Sequence, residues 1–284
     1  MAETAYQTQY RQEFIHGFED RQSRLRSTCV METVIKGNKA VFLVADSGSA
    51  TAGTRGVNGL IAARADNLTQ NTATLLEWHD LVRKTGFNVF ASQGDQKRIM
   101  QETSMAVINR RIDDDIITIL DTATNDTGTS SIATLDMIAK SKTILGDNFV
   151  NIEEEDNMFG LISPGFDAYL MQVPEYASAD YVSSEPFSGP ARLFRRWYGI
   201  NWIVHPRVSG SVGAGGAGTT EKAYMYHRNA IGHAVDKETM QSPVGYDEEQ
   251  DYSWARCTVF MGSVLLQNAG IVQMKHDASA YAAS

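Results

Sequence analysis

A glycine-rich segment at residues 213–218, Gly-Ala-Gly-Gly-Ala-Gly, matches the G-x-G-x-x-G spacing of dinucleotide-binding loops. That chemistry requires a strand before the glycines and a helix after them, so that a pyrophosphate meets the helix N-terminus. Here Ser-Gly-Ser precedes the segment, and Thr-Thr-Glu followed by a strand-like Lys-Ala-Tyr-Met-Tyr-His comes after it. No Lys-Ser or Lys-Thr follows the glycines, which also excludes a P-loop. The segment is therefore predicted to be a flexible loop, and no cofactor is expected.

Three groups of consecutive acidic residues are candidates for a hard-cation site: Asp113–Asp115, Glu153–Asp156 and Asp247–Glu249. The first lies in a helical pattern, where consecutive side chains are about 100° apart and cannot converge on one ion. We expect it to form a solvated or salt-bridged face with Arg110 and Arg111 one turn back. The other two lack an EF-hand pattern and indicate loop surface, with a weak cation site left as an alternative. No metal site is predicted.

Histidines, serines and cysteines form no recognisable catalytic pattern. The six histidines are His16, His79, His205, His227, His233 and His276. They show neither H-E-x-x-H nor any paired spacing, and no G-x-S-x-G elbow is present. His227 and His233 suit a hydrogen-bonded structural role in or beside a sheet. Cys29 and Cys257 are expected to be small core residues, and no catalytic residue is predicted, so the chain is interpreted as a non-enzyme.

Composition places the chain among soluble globular proteins. It has 284 residues, 43% of them hydrophobic, and 25 basic against 34 acidic side chains give a net charge of −9. No run of about 18 apolar residues is present, and the first residues lack a signal-peptide pattern. The acidic balance disfavours tight nucleic-acid binding, because phosphate recognition needs clustered Lys and Arg. We expect synthesis in a cytosol.

The N-terminal segment predicts an aromatic helix. Thr4 and Gln7 match a capping box, and rings then recur at steps of four residues along one helix face. The four rings are Tyr6, Tyr10, Phe14 and Phe18. Four large aromatic side chains on one face of a terminal helix must be buried against another protein surface. Two interpretations stay open: the helix packs on its own core, or it is an arm that docks on a neighbour.

The next segment predicts a long antiparallel ribbon. Residues 29–35 and 40–45 are strand-like and flank Lys-Gly-Asn-Lys at 36–39, which indicates a hairpin. Residues 46–59 are glycine-rich and small, and further strand-like residues follow from 72. The pattern predicts two long antiparallel segments joined by a glycine-rich tip. Such a ribbon is marginally stable alone, which suggests that copies of the chain cover it.

The remainder predicts a helix-and-sheet domain. The strongest helix covers about residues 94–125, where Ile108, Ile112, Ile116 and Leu120 recur every four residues, and it would be about 45 Å long. A helix capped by Thr134 and ending at Gly146 follows. A strand then leads into Ser163-Pro164 and a short helix to about Val173, and later strands complete a mixed α+β pattern.

The order of these parts resembles the tailed-bacteriophage major capsid protein, which has the Hong Kong 97 fold. Three stretches carry the likeness: LISPGFDAYLMQVPEY at 161–176, RRWYGINWIVHPRV at 195–208 and AYMYHRNAIGHAV at 223–235. The resemblance covers essentially the whole chain, although its motifs are diffuse. It implies an α+β, Hong Kong 97-like capsid fold with an N-terminal arm, an extended β-hairpin loop, a long spine helix, and peripheral and axial α/β domains.

The resemblance also assigns segments. It implies an N-arm at 1–28, an extended loop at 29–91, a spine helix of the peripheral domain at 92–125, an axial domain at 126–240 and a return to the peripheral domain at 241–284. In this family the extended loop lies across an adjacent subunit of a hexamer or pentamer. The candidate subunit-contact residues are Tyr6, Tyr10, Phe14, Phe18, Arg55 and Arg64.

Two departures from relatives shape the expected partners. The arm is too short for the cleaved scaffolding segment that some relatives carry, so a separate scaffolding protein is expected. Residues 46–59 contain no lysine for the covalent cross-link that others form, so the shell is expected to close non-covalently.

A portal protein is a further expected partner, and a decoration protein is left open. The shell would enclose double-stranded DNA without sequence-specific binding, be assembled in the host cytoplasm and involve no membrane. Two alternatives are an encapsulin-like compartment shell and, less favoured, an oligomeric α/β enzyme.

Overall fold

A computed structural model of the chain describes residues 22–34, 37–47, 50–64, 67–91, 95–173, 195–236 and 240–281. Its α-helices are α1 (Gly86–Ala91), α2 (Gln96–Leu120), α3 (Leu135–Asp147) and α4 (Pro164–Leu170). Its strands are β1 (Val30–Val34), β2 (Lys39–Asp46), β3 (Asn67–Thr74), β4 (Leu76–Thr85), β5 (Met158–Ile162), β6 (Arg195–Trp197), β7 (Ile200–Val204), β8 (Glu221–His227), β9 (Ile231–Asp236), β10 (Val244–Asp247), β11 (Tyr252–Leu265) and β12 (Ile271–His276). Short 3₁₀ turns lie at Arg26–Thr28, Glu155–Asn157, Val212–Ala214, Arg228–Ala230, Asn268–Gly270 and Ser279–Tyr281. Within these ranges, no helix is long and apolar enough to cross a membrane.

The chain forms two compact units. One contains the described residues of 22–23, 77–112 and 240–260, and the other contains those of 24–76, 113–236 and 261–281. The division falls inside the segment 241–284 that the sequence analysis assigned as a whole to the peripheral domain. The assignment of peripheral and axial domain names to these segments stays a prediction.

The larger unit is built around a five-stranded sheet in the order β12-β8-β5-β7-β6. Its central strand β5 is Met-Phe-Gly-Leu-Ile, and all five residues are buried, as expected for a short apolar run covered on both faces. α3 and α4 pack on this sheet through Ile138, Leu145, Phe166 and Leu170. The mixed α+β class predicted from the sequence is therefore confirmed.

Local capping signals predicted the helix starts correctly. The backbone N–H of Met137 donates to Thr134 Oγ1 at 3.4 Å, and the N–H of Phe166 donates to Ser163 Oγ at 3.1 Å. Both caps satisfy a donor that the first helical turn leaves without an intrahelical partner. The helix that begins at Pro164 ends at Leu170, one turn before the predicted Val173.

The predicted hairpin between residues 29–35 and 40–45 is wrong. β1 pairs in parallel with β9, from Val30 opposite Gly232 to Val34 opposite Asp236. β2 pairs with β3, from Lys39 opposite Thr74 to Asp46 opposite Asn67. Gly37 does adopt a turn conformation, with φ +103. However, β9 is buried along most of its length and needs a neighbour on each side, and a local turn signal carries no information about so distant a partner.

The long helix α2 is shorter at both ends than the predicted 94–125. The four predicted core positions, Ile108, Ile112, Ile116 and Leu120, are buried. The side chain of Gln273 in β12 closes the C-terminus, because its Nε2 donates to the carbonyls of Leu120, Asp121 and Ala123 at 3.5, 2.9 and 2.8 Å. Leu120 is the last residue of α2, and its carbonyl also accepts the N–H of Ala123 at 3.2 Å. Asp121 and Ala123 lie in the turn that follows, where the chain leaves the helix and its carbonyls need a donor from elsewhere.

Replacing Gln273 by Leu should therefore destabilise the protein by about 2–3 kcal/mol, because buried carbonyls lose their donor at nearly constant side-chain volume. Chemical denaturation measures this loss. Gln267→Leu is the matched control at an exposed glutamine six residues earlier, and it should change the unfolding free energy by less than about 0.5 kcal/mol. Equal losses for both variants would contradict the capping role.

Candidate subunit interface

The glycine-rich segment 213–218 is a loop, as predicted, but its glycines serve close packing. A Cβ on Gly213 would lie 2.1 Å from the carbonyl oxygen of Pro206, and one on Gly216 would lie 2.2 Å from that of Gly210. Gly216 N–H donates to Ser211 O at 2.8 Å. Only a residue without a side chain allows backbones to approach this closely. The strand that follows, β8, replaces the helix that a dinucleotide site would require.

The three consecutive aspartates of α2 bind three different parts of the larger unit. Asp113 accepts the backbone N–H groups of Arg24 and Leu25 at 3.1 and 3.2 Å, and its carboxylate lies 3.4 Å from His205 Nε2. Asp114 forms a bidentate pair with Arg207, with both N–O distances at 2.8 Å. The predicted solvated or salt-bridged face is found at Asp114, which pairs with Arg207, whereas Asp113 is buried and only 2% exposed. Its partners are far away in sequence, so the local pattern did not reveal them.

Asp115, the third of these aspartates, forms a hydrogen-bonded cluster with a serine and a histidine. Ser263 Oγ donates to Asp115 Oδ2 at 2.6 Å, and His233 Nδ1 lies 2.9 Å from the same Oγ. Because the serine proton points to the aspartate, His233 Nδ1–H is the donor to Oγ and cannot act as the base that activates it. This order of groups is therefore structural and not a catalytic triad. It confirms the expected hydrogen-bonded role of His233 in a sheet.

Burial lowers the pKa of His233 to about 4, while Asp115 and Asp113 oppose the shift and Arg26 reinforces it. Between pH 6.5 and about 4, only the unfolded state binds this proton, so the unfolding free energy falls as the pH falls. The loss reaches about 3 kcal/mol at pH 4. His233→Asn keeps a side-chain donor without titrating, so its unfolding free energy should depend less on pH over this range in denaturation experiments. An unchanged slope in His233→Asn would refute the assignment.

The two cysteines and His227 also have structural roles. Burial raises the pKa of the Cys29 thiol to about 12 and that of Cys257 to about 11, so both are neutral at pH 7. Both cysteines are buried and free, as predicted. His227 accepts the N–H of Asn229 at 3.2 Å at the end of β8, which confirms its structural role.

The acidic runs occupy exposed loops, as expected. Arg196 pairs with Glu155 at 3.5 Å and with Asp156 beside an open depression. In the part of the chain that the structure describes, no group of three or more His, Cys, Asp or Glu residues could hold a metal ion.

The ribbon of β2 and β3 has one buried face. Ala40 and Phe42 of β2 and Ala73 of β3 pack against Ala234 of β9. The Phe42 ring lies so close to Gly232 that a Cβ there would be 2.9 Å from it. Asn71 Nδ2 also donates to the carbonyl of Leu266 at 3.1 Å. These contacts fix the base of the ribbon.

The opposite face of the ribbon is exposed, and it carries three large apolar side chains beside the polar Gln70 and Thr72. Val41 and Leu43 alternate with the buried residues of β2, and Leu43 is 71% exposed. Leu68 of β3 is 66% exposed and lies opposite Ala45, which puts it diagonal to Leu43 on the same face. Large apolar side chains exposed together on a two-stranded ribbon indicate an interaction site.

The loop that joins β2 to β3 also carries exposed apolar side chains. Within its described residues, Val57, Leu60 and Ile61 are all exposed. The antiparallel ribbon with a glycine-rich connection, predicted from the sequence, is thus confirmed, but its second strand is β3, which begins at Asn67 and not at the predicted residue 72.

The predicted contact residues separate into two sets. Arg55 is exposed in the loop, and Arg64 Nη1 donates to the carbonyl of Ser47 at 3.2 Å. The four aromatic residues Tyr6, Tyr10, Phe14 and Phe18 lie outside the described residues. The sequence analysis missed Val41 and Leu43, because the run Ala-Val-Phe-Leu-Val-Ala at 40–45 is apolar at every position and does not distinguish a buried face from an exposed one. It also missed Leu68, which is the one apolar residue in the polar stretch Asn-Leu-Thr-Gln-Asn-Thr at 67–72.

Known proteins share this architecture. Mycobacterium phage Che8 matches at 11% identity with a TM-score of 0.73, covering 95% of this chain and 97% of its own. The capsid of a native GTA particle matches at 10% identity and 0.72, covering 96% and 95%. The capsid of Ralstonia phage GP4 matches at 12% and 0.68, covering 99% and 98%. The fold is therefore the Hong Kong 97-type capsid fold.

Sequence comparison gives the family directly. No curated protein sequence matches this chain. The sequence model of the family described as phage capsid protein, however, matches residues 2–278. This match spans both compact units and the ribbon whose apolar face is exposed. The chain therefore belongs to the phage capsid protein family and is a structural protein of a virion capsid.

Proposed function

We propose that copies of this chain form the hexamers and pentamers of an icosahedral shell, and that the ribbon of each copy lies on the adjacent subunit. The observation that carries the proposal is the exposed apolar face formed by Val41, Leu43 and Leu68. Burying a large aliphatic side chain contributes about 1.5–3 kcal/mol. A ribbon that buries this face on a neighbour gains this free energy of burial, which an isolated two-stranded ribbon does not have.

A weak contact between ribbon and neighbour can hold a shell together when symmetry repeats it many times. Each ribbon supplies only a few large apolar side chains, so one contact gives modest affinity after the cost of association. In a closed ring every subunit gives one ribbon and receives another, and symmetry repeats the same contact throughout the shell. Weak single contacts therefore support a stable assembly.

The proposed partners follow from charge and from the loop sequence. A net charge of −9 disfavours tight adhesion of packed double-stranded DNA to the subunit, so the shell encloses the genome without sequence-specific binding. The lack of lysine between residues 46 and 59 supports closure without a cross-link in that segment. A separate scaffolding protein, a portal protein and a decoration protein are the further proposed partners. Assembly takes place in the host cytoplasm and involves no enzymatic activity of this chain.

The test is to express the chain alone and with candidate scaffolding proteins from the same genome. Negative-stain electron microscopy and light scattering of the soluble fraction give particle shape and mass. Icosahedral shells or rings of five and six subunits are the expected result. A stable monomer or dimer under every condition would overturn the proposal.

A further inference from the structure

A second exposed apolar surface lies in the smaller unit, beside the turn between β10 and β11. Phe87 of α1 is 75% exposed and Tyr246 of β10 is 50% exposed. Asp251 connects them, because its carbonyl accepts the N–H of Gly86 at 3.1 Å and its Oδ1 accepts the Tyr246 hydroxyl at 2.5 Å. We call Phe87, Tyr246 and the turn residues 247–251 the hairpin surface.

The hairpin surface is strongly acidic. Four of its five turn residues are carboxylic acids. Asp247 holds the turn by accepting the N–H groups of Glu249 and Gln250 at 3.0 and 3.1 Å, and Asp251 accepts from Tyr246. The carboxylates of Glu248 and Glu249 are exposed and have no side-chain partner among the described residues. They are therefore available to a basic partner.

The ribbon has a tip of opposite charge. We call residues 50–64 the ribbon tip; it contains Arg55 and Arg64 and no acidic residue. Its exposed apolar side chains are Val57, Leu60 and Ile61. The tip thus combines aliphatic side chains with positive charge, whereas the hairpin surface combines aromatic side chains with negative charge. Oppositely charged apolar surfaces are complementary, and the charges fix the register in which they meet.

We propose that the ribbon tip of one copy docks on the hairpin surface of a second copy. Arg55 and Arg64 face Glu248 and Glu249, while the aliphatic residues of the tip cover Phe87 and Tyr246. The inference rests on the proposed function and names the surface that receives the tip. The eight residues of β2 extend about 27 Å, which gives the tip a reach beyond the base of its own ribbon.

Charge reversal tests the contact in the full-length chain. Arg55→Glu and Glu248→Arg are each expected to raise the critical concentration for shell assembly about tenfold, since the exchange replaces an attractive pair by a repulsive one. The double variant R55E/E248R restores the pair and should return this concentration to within about threefold of wild type. The defect of each single variant should shrink at 0.5 M salt, because salt screens exposed charges.

Glu153→Arg is the matched control, since it makes the same change in the exposed acidic loop of the larger unit. It should leave the critical concentration unchanged. Circular dichroism of unassembled protein checks that each variant folds.

The outcomes separate this inference from the proposed function. If the wild-type chain forms no shell under any condition, the proposed function fails. If wild type assembles and the single variants do so equally well, or if the double variant is not rescued, the tip docks elsewhere and this inference is overturned. A defect in E248R without one in R55E would assign the hairpin surface to a different partner and would also overturn it.

Discussion

Replacing Leu43 and Leu68 together by Ser is expected to abolish shell formation while the subunit remains folded. Both side chains are mostly exposed on the outer face of the ribbon, so their loss removes no contact within the subunit. If the ribbon lies on a neighbour, the two leucines contribute about 3–5 kcal/mol to each contact, and the contact weakens by more than a hundredfold. Electron microscopy measures the particles, and thermal unfolding measures the subunit.

Phe42→Ala is the matched control on the other face of the same strand. Phe42 is buried against Ala234 and Gly232, so its truncation should lower the unfolding free energy by about 3–4 kcal/mol. The two variants should therefore show opposite signatures: assembly lost with normal stability for the leucine pair, and stability lost for Phe42. Normal shells from the leucine pair would show that the outer face is not an interface.

Features set by neighbouring residues could be predicted from the sequence, whereas features set by distant partners could not. Thr134 and Ser163 cap their helices through the N–H of a residue three positions later, so a short window contains all the information. The core side of α2 follows from its four-residue spacing for the same reason. The C-terminus of α2 is set by Gln273 in β12, and no spacing within the helix indicates it.

The strand pairing of the ribbon also depends on distant residues that the local sequence does not reveal. Its strands and its glycine-rich connection were predictable from composition, but β1 was assigned as the partner of β2 because Gly37 and Asn38 lie between them. The actual partner of β1 is β9, about 200 residues later. Which face of β2 is exposed depends on Phe42 reaching Gly232. The interface residues Leu43 and Leu68 could therefore be identified only once the strands were paired.

The adjacent aspartates of α2 should respond very differently to the same substitution. Asp113→Ala should destabilise the subunit by about 3–5 kcal/mol, because it leaves two backbone N–H groups and buried His205 without their acceptor. Asp114→Ala removes a partly exposed pair with Arg207 and should cost at most about 1 kcal/mol.

Urea denaturation in the L43S/L68S background measures both losses without interference from assembly. Asp113→Asn supplies a second comparison, since its amide oxygen still accepts one backbone N–H and should recover part of the loss. Equal losses for Asp113→Ala and Asp114→Ala would contradict the buried role. The expected difference follows from the surroundings of two identical side chains: one carboxylate has been removed from water and is held by three donors, whereas the other stays at the surface. Because Asp113 accepts the N–H groups of Arg24 and Leu25, this one carboxylate also fixes residues 24 and 25 to the C-terminal part of α2.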